Sequence, residues 1–284
     1  MEAQLSELMA KVWLLYLKCM RGDGGRLSLN ILREVCSYLH THIRIAAVFY
    51  STAFLYDLKS QQSSKHVLSE DLGEGGSYIQ ADRNTLLCVD GNYSPSSAVH
   101  SLDLSSFLLR PLPSLSTPRA WAGLAKVSTS FYMFGVWDNR SGLSSCEKMQ
   151  LSDQHWTKIS SMHHSRVCFT SCHYRSLLYL ASTNDHKTVE TFSAETQLFA
   201  VLPVSLPLQL EANWSVAFIV KGELCLLTIG KQMACWKIES ECEFRLARIN
   251  KTSFSTQQPL IVGSLVLIAC LGKVQQFSFL PKLS

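Results

Sequence analysis

The sequence predicts a mainly-β fold made from a repeated four-stranded unit, and three observations carry that prediction. The apolar run Leu86-Leu87-Cys88-Val89-Asp90-Gly91 returns 45 residues later as Phe131-Tyr132-Met133-Phe134-Gly135-Val136. Leu109, Leu112, Leu115 and Arg119 follow the first run, and Trp156, Ile159, Met162 and Arg166 follow the second, both sets stepping by three, three and four. Further apolar strands begin at Leu177, Leu224 and Val266, so the successive steps are 45, 46, 47 and 42. A period of this size built from short strands signals a stacked or radial array.

A single four-stranded sheet of this kind has two apolar faces and cannot stand alone. Radial stacking buries both faces and leaves only short, protected edges. A two-sheet sandwich would not need a step held near 46 residues. The chain is therefore read as a short N-terminal helical element, residues 1–42, followed by a β-propeller over residues 45–284. Six blades are favoured when a weaker copy near Ala46 is counted. Five are possible if the segments at the two ends share one closing blade.

The elements follow in order. Leu5, Leu8, Val12, Leu15 and Cys19 line one face of a helix that Gly22-Asp23-Gly24-Gly25 ends. Ser28 can cap a second helix whose apolar face is Leu29, Leu32, Val35, Cys36 and Leu39. From Ile45 the period changes to two: Ala46 to Phe49, Thr52 to Leu58 and Lys65 to Leu68 read as strands. Glu70-Asp71-Leu72-Gly73-Glu74-Gly75-Gly76 is a Gly-rich boundary. Beyond it, strand-like segments recur between the apolar runs. One set is Ser97–Leu104, Ser145–Leu151, Thr188–Phe192, Met233–Ile238 and Val274–Phe279. The other centres on Leu109, Trp156, Phe199 and Phe244. Four of the five clear apolar runs pass into Gly: Gly91, Gly135, Gly230 and Gly272.

Composition sets limits on function. Of 284 residues, 47% are apolar and 17% charged, the balance of a well-buried globular chain. The net charge is +4 with the basic residues scattered, so no face tracks phosphates and nucleic acid is not expected as a partner. Ten cysteines are spread without a CxxC pair. With Cys88, Cys225 and Cys270 on apolar strands, reduced core-filling thiols in a cytoplasmic protein are expected. The apolar run from Val12 to Leu17 is too short for a signal peptide or a membrane span. The Asn-x-Ser/Thr triplets at Asn92, Asn139, Asn213 and Asn250 are accordingly read as coincidence.

Two resemblances follow from these residues. The stretch Leu27-Ser28-Leu29-Asn30-Ile31-Leu32-Arg33-Glu34-Val35-Cys36-Ser37-Tyr38-Leu39 resembles the opening helix of an F-box, with Ser28 where that motif has Pro. The resemblance implies docking on the adaptor of a cullin-type ubiquitin ligase through Leu29, Leu32, Val35 and Leu39. The repeat itself resembles kelch, an apolar strand ending in double Gly, then Tyr, Trp seven residues later, Leu-Pro and Arg. Asp90-Gly91 and Gly135-Val136 hold the double-Gly place, each with one Gly lost. Leu102 and Met149 hold the Tyr place, and Leu109 and Trp156 the Trp place. Phe192 and Phe199 keep the seven-residue step, followed by Leu202-Pro203. This implies a kelch-like propeller whose loops bind another protein.

Candidate chemistry is sparse. In the cluster His163, His164, Cys168, Cys172 and His173, Cys168 and Cys172 would lie about 13 Å apart on one strand, too far for a shared zinc ion without a bend, so the two are read as buried strand thiols. There is no Gly-x-Ser-x-Gly elbow, no HExxH, and no Lys-Ser/Thr after Gly73-Glu74-Gly75-Gly76 to make a phosphate loop. No catalytic, cofactor-binding or metal-binding residue is assigned, and the chain is not expected to be an enzyme. A propeller hydrolase would need a carboxylate cluster at the central channel. Arg119 and Arg166, phased with the repeat, are expected to bond carbonyls or carboxylates of the adjacent blade. Trp137, Asp138, Asn139 and Arg140, just past Gly135, form the candidate partner-contacting loop, since Trp and Arg anchor interfaces. Two roles compete: substrate-recognition subunit of a ubiquitin ligase, or cytoskeletal or structural scaffold-binding protein.

Overall fold

The strand Thr85–Val89 shows why this sequence stacks sheets on sheets. Successive side chains of a strand point to opposite faces. Leu86 and Cys88 pack with Val48, Ala53, Leu68 and Leu72, which precede them in the chain. Leu87 and Val89 pack with Leu124, Phe131, Met133 and Trp156, which follow. An all-apolar strand is what a sheet covered on both faces requires.

The computed structural model describes residues 44–57, 62–73, 76–82, 84–91, 94–138, 141–153, 155–166, 169–182, 187–208, 215–220, 222–228, 232–238, 244–248, 260–262, 265–270 and 273–278. The N-terminal element, with Leu29, Leu32, Val35 and Leu39, lies outside the described residues. Among them there is no helix and every sheet is antiparallel.

The first sheet has three strands, β1 (Arg44–Phe49), β2 (Thr52–Asp57) and β3 (Ser63–Val67). Four sheets of four strands follow, each a meander in chain order. They comprise β4 (Ser77–Gln80), β5 (Thr85–Val89), β6 (Val99–Asp103) and β7 (Leu109–Leu112); β8 (Gly123–Val127), β9 (Ser130–Trp137), β10 (Gly142–Gln150) and β11 (Thr157–Ile159); β12 (Phe169–Tyr174), β13 (Leu177–Ser182), β14 (Thr188–Ser193) and β15 (Leu198–Ser205); and β16 (Ser215–Val220), β17 (Glu223–Thr228), β18 (Gln232–Lys237) and β19 (Arg245–Arg248). The last sheet is β20 (Leu260–Val262), β21 (Leu265–Cys270) and β22 (Lys273–Ser278).

The two-faced packing of β5 is repeated along the chain. In β9, Phe131 and Met133 face back toward the second sheet, and Tyr132 and Phe134 face forward to Leu178, Leu180 and Phe192. In β13, Leu178 and Leu180 face back, and Tyr179 and Ala181 face forward to Leu224, Leu226 and Trp236. Four apolar layers thus alternate with sheets, and each fully buried Leu or Phe in them contributes about 1.5–3 kcal/mol. The first strands of successive sheets lie side by side, β4 by β8, β8 by β12 and β12 by β16, while β1 of the first sheet approaches β21 of the last. This arrangement of short antiparallel sheets is consistent with a β-propeller-like fold.

Three details differ from the sequence reading. It predicted four strands per repeat but located three; the fourth is a leading strand of four to six residues, β4, β8, β12 or β16. Gly135 does not stop its strand. It sits inside β9 at φ 54°, where the ladder between β9 and β10 shifts register, and the strand runs on to Trp137. An added Cβ there would lie 2.7 Å from Met162 Cε and 2.8 Å from the Leu143 carbonyl, so close backbone approach and positive φ both require Gly. Trp156 and Phe244 precede the outer strands rather than centring them.

Candidate functional site: the junctions between sheets

Each of the first four sheets is followed by a connection that returns to the end of the sheet where the second and third strands join. One hydrogen bond marks the equivalent position in these four cases among the described residues. Leu68 N donates to Ser51 O, Leu115 N to Ser97 O, Met162 N to Ser144 O and Leu206 N to Lys187 O. The acceptors lie within two residues of the start of β2, β6, β10 and β14, the last three being third strands of their sheets. β1, β2 and β3 are therefore the second, third and fourth strands of their unit, which agrees with the match of Ala46 to Leu86.

Four residues beyond that bond stand Leu72, Arg119 and Arg166, all fully buried. Arg119 Nη1 donates to Gly135 O at 2.9 Å and Ser145 O at 2.8 Å, and Nη2 to Glu147 Oε1 at 2.8 Å. Arg166 repeats the pattern in the next sheet, with Nη1 to Thr188 O and Nη2 to Glu190 Oε1, both at 2.8 Å. The Ser145 and Thr188 hydroxyls accept from the two Nη2 groups at 3.2 and 3.1 Å. Each carboxylate also receives two backbone N–H bonds: Glu147 from Ser116 and Thr117, Glu190 from His163 and His164. The repeat-phased arginines thus tie one sheet to the third strand of the next, as their phase implied.

The electrostatics follow from that geometry. Burial alone would raise the Glu147 carboxyl, but the bonds from Arg119 and Ser116 outweigh it and hold the group below the ordinary carboxylate range. Burial is likewise the largest influence on Glu190, overcome by the His163 N–H and Arg166. Burial pulls Arg166 down from its ordinary value, and Glu190 opposes it. Both carboxylates are committed to ion pairs and turn amides, so this arrangement fixes connections rather than moving protons.

The first junction solves the same problem with other residues. Leu72 stands in the Arg place, His100 in the Glu place and Ala98 in the place of Ser145 and Thr188. His100 is buried, with Nδ1 3.1 Å from Asp90 Oδ1 and Nε2 3.3 Å from Glu70 Oε2. Asp90 occupies the Gly135 place, and burial, partly offset by His100, raises its carboxyl.

Trp137 and Asp138 join this same end of the sheets. Trp137 is half-buried in β9 opposite Gly142, its carbonyl accepts from Ala120 N at 3.1 Å, and its ring lies 5.8 Å from that of Trp121. The ring packs beside the layer between the second and third sheets, so Trp137 is part of the framework at the loop's root. Asp138 Oδ1 accepts from Ser141 N at 2.9 Å and closes the turn. Asn139 and Arg140 lie outside the described residues. Trp156 packs between the sheets, with Nε1 bonded to Pro113 O at 2.9 Å.

Of the histidine and cysteine cluster, His163 bonds Glu190, His173 is exposed, Cys172 is half-buried with its thiol raised by burial, and Cys168 lies outside the described residues. Cys88 and Cys146 are buried free thiols, the latter pushed up to about 12 by burial. Glu147, Glu190 and His100 escaped sequence reading. A signal was present: Ser145-Cys146-Glu147 and Thr188-Val189-Glu190 share a Ser/Thr-apolar-Glu pattern at the start of a third strand.

No family model matches the chain, and no curated protein matches it. Among the described residues, no helix is long and apolar enough to cross a membrane.

Proposed function

We propose that the sheets are blades of a six-bladed, kelch-like β-propeller that recognises another protein without catalysis. The supporting observation is the repeated junction. Buried Arg–Glu pairs and the Trp121–Trp137 contact hold the second-to-third-strand connections to the sheet-to-sheet connections at one end of the molecule. Loops rooted in rigid sheets are suited to recognition. Separate three-stranded sheets at the two ends of the chain favour six blades over a shared fifth. The partner-contacting loop is Trp137 to Arg140, with Trp137 and Asp138 setting its geometry and Asn139 and Arg140 offered to the partner. No cofactor is required.

The favoured role is substrate recognition for a cytoplasmic ubiquitin ligase, with residues 1–42 docking on a cullin adaptor. The other reading is a cytoskeletal or structural scaffold binder. Capture experiments with the full chain separate them. Retention of a cullin adaptor, lost in the Leu32→Asp/Val35→Asp variant but kept in Arg140→Ala, supports the ligase role. Co-sedimentation with cytoskeletal filaments, with no adaptor retained, supports the scaffold role and overturns the first.

A further inference from the structure

The fifth sheet departs from the three before it at one place in its core. By the hairpin register, Cys225 occupies the position held by Leu87, Tyr132 and Tyr179 in the preceding second strands. Those are bulky side chains that fill the layer toward the next sheet. Here a thiol stands instead, and a second thiol, Cys235 on β18, lies directly opposite it in the ladder. Residues so paired have Cβ atoms about 4.5–5.5 Å apart. Glu223, two residues before Cys225, shares its face of the strand. The two sulfurs and a Glu223 carboxylate oxygen all lie within 4.8 Å of one another. Cys225 is fully buried, Cys235 is 5% exposed and Glu223 is half-buried, so the cluster grades from buried thiols to a partly accessible carboxylate residue.

We infer that Glu223, Cys225 and Cys235 form a binding site for a thiophilic divalent ion of the zinc class. Two thiolates and a carboxylate suit such an ion, which binds sulfur at about 2.3 Å and carboxylate oxygen at about 2.0–2.2 Å. Both sulfurs on one ion would be about 3.8 Å apart in a tetrahedron of those bond lengths. The two sulfurs, already within 4.8 Å of each other, need to move by only about 1 Å to reach that separation. On binding, two S–H bonds break, two metal–sulfur bonds form, and two protons leave to solvent. The Glu223 carboxylate is the third ligand and water the fourth, with no change of oxidation state. The ion cross-links β17 to β18 where the second, third and fourth sheets place Leu87, Tyr132 and Tyr179.

The test uses the reduced, chelator-treated full chain and Co2+ as a spectroscopic probe, followed by displacement with Zn2+. The expected result is a thiolate-to-cobalt charge-transfer band that saturates at one equivalent. It should be lost in Cys225→Ser and in Cys235→Ser, be retained in Cys88→Ser, and appear at roughly tenfold higher Co2+ in Glu223→Gln. Absence of the band, or its survival in both the Cys225 and Cys235 variants, overturns the assignment. Should those variants fail to fold, zinc-edge X-ray absorption of the unaltered protein decides. Two sulfur neighbours at about 2.3 Å with oxygen neighbours support the site; none or four sulfurs overturn it.

Discussion

Arg119 and Glu147 meet at 2.8 Å with both side chains fully removed from solvent, and Arg166 and Glu190 repeat the contact at the same distance one sheet further along. The two pairs make the junction a recurring structural unit. Removing one member of such a pair strands a buried charge, whereas removing both strands none. Arg119→Met and Glu147→Gln should each cost about 3–5 kcal/mol in urea unfolding. The double Arg119→Met/Glu147→Gln variant should cost clearly less than the sum. Additivity would show that the two groups act independently.

Acid should loosen these junctions first. Glu147 and Glu190 are held below the ordinary carboxylate range in the folded chain. Between the folded and unfolded values the unfolded chain therefore binds more protons. Their contribution is complete above the unfolded value and is lost as pH falls through the folded values. Asp90, raised mainly by burial, acts with the opposite sign: its contribution is present below its unfolded value and is lost as pH rises through the folded one. The urea midpoint should fall as pH is lowered from neutral through the carboxylate range, and the fall should be shallower in Glu147→Gln/Glu190→Gln, which begins from a lower midpoint.

Two glycines separate backbone strain from crowding. Gly135 and Gly222 both have positive φ, 54° and 77°. A Cβ on Gly135 meets Leu143 O at 2.8 Å, whereas one on Gly222 meets Tyr174 Oη at 3.4 Å. Gly222→Ala should lose only the left-handed backbone cost, about 1–2 kcal/mol. Gly135→Ala should lose more, because a carbonyl must move. Equal losses in thermal unfolding would remove the argument that β9 and its neighbouring connection are in tight contact at Gly135.

Apolar periodicity made the second strands of the middle sheets legible, because Leu86 to Val89, Phe131 to Phe134, Leu178 to Ala181 and Leu224 to Leu226 are buried. Arg119 and Arg166 were legible through their phase. The leading strands were not, since β4, Ser77–Gln80, mixes polar and apolar residues that face different surroundings at the sheet edge. Glu147 and Glu190 were hidden because a Glu in a half-apolar strand usually reads as solvent-facing. Its burial here depends on an Arg 28 or 24 residues earlier in the chain. The place of Trp137 was misjudged for a related reason: Gly135 reads as a stop when a positive-φ residue can also let a strand continue through a bulge.

Successive sheets meet through one repeated junction, so a tie from one should work in another. The direct measurement is the stability of Leu72→Arg alone and combined with His100→Glu and Asp90→Ser, which transplants the Arg–Glu pair into the first junction. The single variant should lose several kcal/mol, about the cost of an unpaired buried charge, and the triple variant should recover at least half of that loss. If the triple variant is no more stable than the sum of its parts, the junctions are not equivalent and the sheets do not share one repeated tie.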